Sequence, residues 1–134
     1  MMRCRGTCIA IGLALVLGCG GSDHAKLAAV SGTVTYKDQP LPTGMIVFYP
    51  ENGRSAAGEI VDGEITNVTT YEPGDGAPVG PVKITVTSIQ VDGEGTQAKT
   101  KSLIPQKYAD PSKSGLTATV NAGEKNVVDL NLTD

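Results

Sequence analysis

Side chains that could perform chemistry are few in this 134-residue chain. A nucleophilic triad needs a base beside its serine or cysteine, and the only histidine, His24, lies in a short polar segment near the start. The chain also lacks a His-Glu-x-x-His motif and a cysteine cluster that could bind zinc. We therefore expect a protein that is not an enzyme and that needs no metal or cofactor.

Carboxylates are the remaining candidates for a reaction, and they occur as close pairs in turn-like segments. Their spacing matches no calcium-binding loop, which supplies six or more oxygen ligands. A glycosidase needs only two carboxylates, but the chain has no tryptophan to stack on a sugar. We interpret them as solvated turn residues and keep a carboxylate enzyme as the least favoured alternative. The pairs are Asp62 with Glu64, Glu72 with Asp75, and Asp92 with Glu94.

One cysteine has neighbours that indicate covalent modification. Two arginines near the start precede the apolar run 8–17, which ends at Gly18-Cys19. These are the parts of a signal peptide, and about ten apolar residues span only about 15 Å in a helix, half of a bilayer core. The tetrad Val-Leu-Gly-Cys at 16–19 resembles the lipobox of bacterial lipoproteins. The resemblance implies cleavage after residue 18 and acylation of Cys19.

Acylation would make membrane lipid the partner of Cys19, because several acyl chains hold a protein firmly where one does not. We expect a signal peptide at residues 1–18 and a lipidated cysteine with a flexible tether at residues 19–28. Cys4 and Cys8 would leave with the signal peptide, so no disulfide can form within the mature chain. The expected location is the cell envelope, on a membrane, facing the periplasm or the exterior.

Composition limits the partners and favours strands. The formal net charge is -3, which is too small and too acidic to indicate a nucleic-acid partner. Aromatic residues make up 4% of the chain, which contains 17 glycines and 8 prolines. Few aromatics with many turn residues favour strands and turns over helices.

Residues 29–134 form the expected domain, and several segments within it alternate apolar and polar side chains with a period of two, as half-buried strands do. About seven strands without an amphipathic helix predict an all-β fold, specifically an antiparallel Greek-key β-sandwich. The expected strands are 30–36, 45–49, 58–61, 64–68, 82–87, 116–120 and 128–132.

Local signals refine this prediction. Asp62-Gly63 predicts a two-residue hairpin turn that brings Ile60 opposite Ile65. A change of phase after Val86 predicts a bulge or a strand end near Ser88. The segments 116–120 and 128–132, joined by a turn at 121–124, predict a second hairpin.

Residues 92–114 show no sustained period and predict a long loop. Within it, residues 102–111 contain apolar anchors that could pack on the sandwich. Residues 105–108 predict one helical turn that begins at a proline.

Two loops are candidate interaction sites. Tyr71, Glu72 and Asp75 lie in the first, and Tyr108 and Asp110 lie in the second. Tyrosines could line a recognition surface, but the favoured interpretation is that they pack their rings in the core or at its edge with the hydroxyl in water. The two loops could likewise close the sandwich as conformational anchors or bind a partner.

Several segments resemble a known family. Residues 30–36 (VSGTVTY) and 46–50 (IVFYP) are similar to the opening of the carboxypeptidase regulatory-like, transthyretin-like sandwich. Residues 69–78 and 104–117 resemble small lipoproteins of planctomycete-type bacteria. The resemblance implies this fold and an envelope location, and these lipoproteins have no settled biochemical function. Transthyretin-like hydroxyisourate hydrolases use histidines, and residues 29–134 contain none, so that activity is excluded.

These observations together predict a non-catalytic, lipid-anchored envelope protein that serves as a structural or protein-interaction module. The alternative is a lipoprotein that binds a small ligand or a carbohydrate, so that its partner would be a glycan instead of an envelope protein. A binder of that kind needs a concave surface on which tyrosines and carboxylates converge. Whether Tyr71 and Tyr108 meet at one cleft therefore distinguishes the two hypotheses.

Overall fold

Alternating apolar residues form the strands of an all-β domain in the computed structural model, which describes residues 26–134. The predicted signal peptide, Cys19 and all but the last residues of the predicted tether lie outside the described residues.

Twelve strands and two short 3₁₀ helices occur in the described part of the chain. In chain order they are β1 (Leu27–Ala28), β2 (Val30–Tyr36), β3 (Gln39–Pro40), β4 (Thr43–Pro50), β5 (Ala56–Val61), β6 (Glu64–Thr69), β7 (Ala77–Pro78), β8 (Gly80–Thr87), β9 (Ile89–Asp92), η1 (Gly95–Gln97), β10 (Lys99–Ser102), η2 (Gln106–Ala109), β11 (Leu116–Val120) and β12 (Asn126–Leu132). The seven predicted strands correspond to β2, β4, β5, β6, β8, β11 and β12, so all seven predictions are confirmed.

These seven strands form one sheet in the order β11-β8-β4-β5-β6-β2-β12, and β3 adds beside β2. Neighbouring strands run antiparallel, except that β12 runs parallel to β2. The sheet is curled. Its two edge strands, β11 and β12, stand at opposite ends of the strand order and yet line one shared surface groove. The small pairs β1-β7 and β9-β10 lie apart from this sheet in the pairing pattern.

The inward side chains of the curled sheet form the core. Phe48, the only phenylalanine, is fully buried on β4, which pairs with β5 on one side and β8 on the other. Strand β4 is therefore a central strand of the sheet. Its outward face is open, however, and Met45 is 51% exposed. Other fully buried side chains are those of Val34, Ile46, Ala56, Ala77, Ile84, Val86 and Leu132.

The predicted hairpin at Asp62-Gly63 is confirmed. Both turn residues have positive φ, 50° and 80°, and Ile60 lies opposite Ile65 on the neighbouring strand. Glycine adopts this conformation without a steric penalty, and aspartate tolerates it better than most residues.

The predicted interruption near Ser88 is also confirmed. Strand β8 ends at Thr87 and β9 begins at Ile89. Ser88 is buried, and its hydroxyl donates a hydrogen bond of 2.5 Å to the carbonyl oxygen of Thr43. The bond fixes the point at which the chain leaves the main sheet.

The predicted second hairpin is wrong, because β11 and β12 do not pair with each other. Strand β11 pairs with β8, whereas β12 pairs with β2 at the far end of the strand order. The buried Asn126 explains the crossing: its amide nitrogen donates to the carbonyl oxygens of Ala29, Asn121 and Glu124, and its amide oxygen accepts from the Asn121 N–H. These bonds close the 121–125 loop and hold the start of β12 beside the start of β2.

A glycine makes the parallel pairing possible. Gly32 on β2 has a φ of 152°, and a Cβ atom built there would lie 1.8 Å from the carbonyl oxygen of Val128. No other residue type fits such an approach of two backbones.

The predicted long loop at residues 92–114 is more ordered than expected. Its first part joins β9 to β10, which form an antiparallel pair in which Ile89 faces Ser102. Its second part contains η2, preceded by Pro105, so the predicted helical turn is confirmed. Ile104 and Tyr108 are buried against the core, which confirms the anchoring role of this part.

Candidate functional site

The first candidate loop, residues 70–76, is organised around the carboxylate of Asp75. This carboxylate accepts hydrogen bonds from the backbone N–H groups of Thr70, Tyr71 and Glu72 at 2.6, 2.8 and 2.9 Å. Partial burial alone would raise the pKa of Asp75, but these backbone donors outweigh burial and hold the pKa below its usual value. The negative charge of Asp75 therefore stabilises the backbone conformation of its own loop.

Asp75→Asn should destabilise the domain by about 1–2 kcal/mol at neutral pH, since one amide oxygen replaces two charged acceptors. The stability that Asp75 supplies is complete above its unfolded pKa, about 4, and is lost as the pH falls towards the lower folded pKa. Urea denaturation at pH 7 and at pH 3 should show a difference between wild type and Asp75→Asn that shrinks in acid.

The exposed neighbour supplies the control for this loop. Glu72→Gln should leave the stability within about 0.5 kcal/mol of wild type, as surface substitutions usually do. A difference for Asp75→Asn that stays constant from pH 7 to pH 3 would show that the charge of Asp75 is not what holds the loop.

Tyr71 is half-buried and contacts a cation. The guanidinium of Arg54 lies 5.5 Å from the centroid of the Tyr71 ring, within the range of a cation–π contact. Tyr71 therefore joins the 70–76 loop to the turn between β4 and β5. Glu72 points to solvent.

The second candidate loop turns its tyrosine inward. Tyr108 on η2 is buried, and its hydroxyl donates to the Thr133 carbonyl oxygen at 2.8 Å and accepts from the Thr133 N–H at 3.0 Å. Lys107 lies 5.1 Å from the centroid of the same ring. Tyr108 thus anchors the end of β12, and its ring is not part of an exposed recognition surface.

Asp110 also serves its own loop. Its carboxylate accepts from the hydroxyl of Ser112 at 2.6 Å and from the backbone N–H of Ser112 at 2.8 Å. These two bonds, the hydroxyl first, lower the pKa of Asp110. The geometry is that of a local turn in which an aspartate satisfies backbone donors.

The two candidate loops lie at opposite ends of the domain. Tyr108 is bonded to Thr133 beyond the end of β12, and that end pairs with Tyr36, the last residue of β2. The 70–76 loop leads to β7, which pairs with β1 immediately before β2 begins. Strand β2 spans about 20 Å, so Tyr71 and Tyr108 do not meet at one cleft.

A third polar group lies at the end of β2 and was not predicted. The Lys37 ammonium forms an ion pair of 2.6 Å with Asp134, and the hydroxyl of Tyr36 donates to the same carboxylate. The Lys37 bond, followed by that of Tyr36, lowers the pKa of Asp134, while Asp134 raises the pKa of both partners. Lys37 and Asp134 are exposed to solvent and Tyr36 is half-buried, so the ion pair adds little stability.

A surface groove crosses the outer face of β4, β8 and β11. Tyr49, Lys83 and Thr117 lie directly opposite one another across these strands. The groove has a volume of about 610 Å³, and Lys83 and Glu51 form no ion pair with other described residues. It combines an aromatic ring with one free charge of each sign. Its lining residues are Tyr49, Pro50, Glu51, Pro81, Val82, Lys83, Pro111, Ser112 and Thr117.

A second exposed surface, the arm formed by residues 89–102, contains none of the predicted site residues. It consists of β9, η1 and β10. Ile89 and Val91 are 56% and 60% exposed, and all other residues of its two strands are exposed as well. The sequence signal was the shift of these two apolar residues to the opposite phase after Val86.

The structure provides neither a lipidation site nor a metal site among the residues that it describes. Cys19 lies outside the described residues. Within residues 26–134, no group of three or more histidine, cysteine, aspartate or glutamate side chains could hold a metal ion. No helix in that same region is long and apolar enough to cross a membrane.

Comparison with known proteins gives no match. No family model, no curated protein and no solved structure is significantly similar to this chain.

Proposed function

We propose that this protein is an exported, lipid-anchored component of the bacterial cell envelope and that it acts as a non-catalytic protein-interaction module. The anchor is Cys19, and its support is the sequence at 3–19: a basic start, a short apolar run and the Val-Leu-Gly-Cys tetrad. Removal of residues 1–18 leaves nine basic and fourteen acidic residues, a net charge of -5. A short tether then joins the lipid to the folded domain.

The observation that carries the interaction role is the position of the exposed arm relative to the tether. The carbonyl oxygen of Lys26 accepts a hydrogen bond of 2.9 Å from the Val79 N–H, so the tether enters beside the start of β8. The arm leaves from the other end of the same strand, and eight residues of strand span about 26 Å. A domain anchored at one end therefore presents Ile89 and Val91 at the other.

We propose a non-catalytic role because the sequence offers no catalytic side chains. The only histidine, His24, belongs to the tether, and the aspartates of both candidate loops serve as hydrogen-bond acceptors for their own backbones. The finer architecture, a Greek-key sandwich of the transthyretin-like type in a planctomycete-type lipoprotein, belongs to the same proposal. Its support is the resemblance of residues 30–36 and 46–50.

A small-ligand or carbohydrate binder is the second candidate, and the Tyr49 groove favours it. A sugar could stack on the Tyr49 ring while Lys83 and Glu51 bind its polar groups. This groove meets the second predicted loop at Pro111 and Ser112 but is lined by neither Tyr71 nor Tyr108, so the candidate has one tyrosine at its site instead of a convergent pair.

One experiment compares both candidates in native membranes. Cells expressing the full chain are treated with a protein crosslinker, and the same chains are tested for retention on purified envelope polysaccharide. The double variant Ile89→Ser, Val91→Ser should lose most crosslinked adducts, whereas Tyr49→Ala should keep them. The control is Val127→Ser, since Val127 is 67% exposed on β12 and belongs neither to the arm nor to the lining of the Tyr49 groove.

Equal adducts from wild type and from the arm variant would contradict the interaction role of the arm. Retention on polysaccharide that Tyr49→Ala alone abolishes would support the carbohydrate candidate instead.

A further inference from the structure

The arm has two faces with different chemistry. Side chains alternate along a strand, so Ile89 and Val91 lie on one face, and their partners across the arm are Ser102 and Thr100. The other face carries Gln90 and Asp92 of β9, opposite Lys101 and Lys99 of β10. A two-stranded pair is marginal on its own in water. This arm therefore gains stability from any surface that covers it.

The outer edge of β9 has unpaired backbone groups. The Leu103 N–H donates to the Ser88 carbonyl oxygen at 2.9 Å, which fixes the alternation of the ladder. The backbone groups of Ser88, Gln90 and Asp92 then point to β10, and those of Ile89 and Val91 point to the outer edge. No other described strand pairs with that edge.

The two edges of the arm differ in how they meet another strand. Strand β10 carries Lys99 and Lys101, and lysines on an edge strand oppose further pairing. Strand β9 has no charge before Asp92 at its end. The β9 edge is therefore the one that is open to strand addition.

We propose that the β9 edge pairs with the β9 edge of a second copy of this chain. In a two-fold antiparallel pair centred on Gln90, Ile89 of each copy faces Val91 of the other. Both are the residues whose backbone groups point outward, so the pair forms four hydrogen bonds between copies. The four apolar side chains also lie together on one face, where cross-strand pairs stabilise a sheet.

Charge favours this register. Asp92 of each copy lies beyond the four hydrogen bonds between copies and keeps Lys99 of its own β10 as its neighbour, so no like charges meet across the pair. A shift of one residue would place Ile89 opposite Gln90 and separate the apolar pairs. A register centred on Val91 would use Gly93, where φ is 94° and the strand has ended.

This inference deepens the proposed function and rests on it, because the contact is small and needs the membrane. Four residues per copy bury far less than the roughly 1,200–2,000 Å² of a stable protein interface. Anchoring two copies to one surface raises their effective concentration, to about the millimolar range for short flexible links. We therefore expect the pair in membranes and mostly single chains after extraction into dilute detergent.

The test is a cysteine placed at the two-fold axis of the full chain. Gln90 residues of the two copies would lie opposite each other in a non-hydrogen-bonded pair, with Cα atoms about 4.5 Å apart, which a disulfide can bridge. Mild oxidation of native membranes should therefore crosslink Gln90→Cys into a dimer. The matched control is Lys101→Cys, which lies opposite Gln90 on the other strand and is equally exposed.

Gln90→Cys should give about tenfold more dimer than Lys101→Cys, given the high effective concentration at a paired edge. A membrane-bound Gln90→Cys chain that crosslinks no more than the control, or that crosslinks to a chain of different mass, would overturn the pairing between copies. If Cys19 is not lipidated, the result differs from a failure of the pairing. The chain would then be absent from the membrane, and the wild type would crosslink through a free Cys19.

Discussion

Gly32→Ala should destabilise the domain by more than about 4 kcal/mol, a size that single substitutions reach only through a severe local defect. The new Cβ would lie 1.8 Å from the Val128 carbonyl oxygen and 2.8 Å from the Val128 nitrogen, both of which are backbone atoms. Relief requires β12 to move away from β2, which breaks the parallel ladder from Asn126 to Leu132. Thermal and urea denaturation of the mature chain, followed by circular dichroism, measure the loss.

The control for this prediction is a glycine with positive φ and open space. Gly123 has a φ of 73°, and a Cβ atom there would meet nothing within 4 Å. Gly123→Ala should cost only about 1–2 kcal/mol, the ordinary penalty of a left-handed backbone for alanine. Equal losses for Gly32→Ala and Gly123→Ala would show that the close approach of β2 and β12 does not govern stability.

Cys19→Ser should abolish both cleavage and lipid anchoring. A serine hydroxyl cannot form the thioether, so the chain would carry no acyl groups and would accumulate as an uncleaved precursor. Each buried methylene contributes about 0.8 kcal/mol, so several acyl chains account for firm attachment and their loss removes it. Fractionation of cells with immunoblotting reads both the location and the mass shift.

Cys8 offers the matched control, since it lies in the predicted signal peptide and would leave with it. Cys8→Ser should be processed and attached like the wild type. Normal processing and retained attachment of Cys19→Ser would contradict the assignment of the anchor.

Local signals predicted the strands well because they depend on neighbours in sequence. The alternation in residues 30–36 follows from burial of one face, and the Asp62-Gly63 turn follows from backbone sterics at two residues. The phase change after Val86 similarly marked the end of β8 at Thr87.

Long-range pairing was predicted less well. Two alternating segments joined by a turn at 121–124 fit a hairpin, and nothing in their own pattern distinguishes a partner next in sequence from β2, about a hundred residues earlier. The available signal was Gly32: a glycine within a strand indicates close approach of another backbone.

The candidate site shows the same limit. The sequence identified the loops of Tyr71 and Tyr108, but the direction of a side chain depends on the tertiary fold. Tyr108 points inward to Thr133, and Asp75 is used by its own loop. The exposed groove at Tyr49 and the arm at Ile89 instead depend on which strand lies at an edge and which face stays uncovered, and a single pattern of alternation does not contain that information.

The central proposal is that Cys19 becomes the lipidated first residue of the chain and that a tether joins it to a domain whose arm lies about 26 Å, the length of β8, from the point where the tether enters. Mass spectrometry of the N-terminal peptide from purified membranes tests it most directly. The account predicts a peptide that begins at residue 19 with a diacylglyceryl group on the sulfur. A peptide with a free thiol at residue 19, or a mature chain that retains residues 1–18, would contradict it.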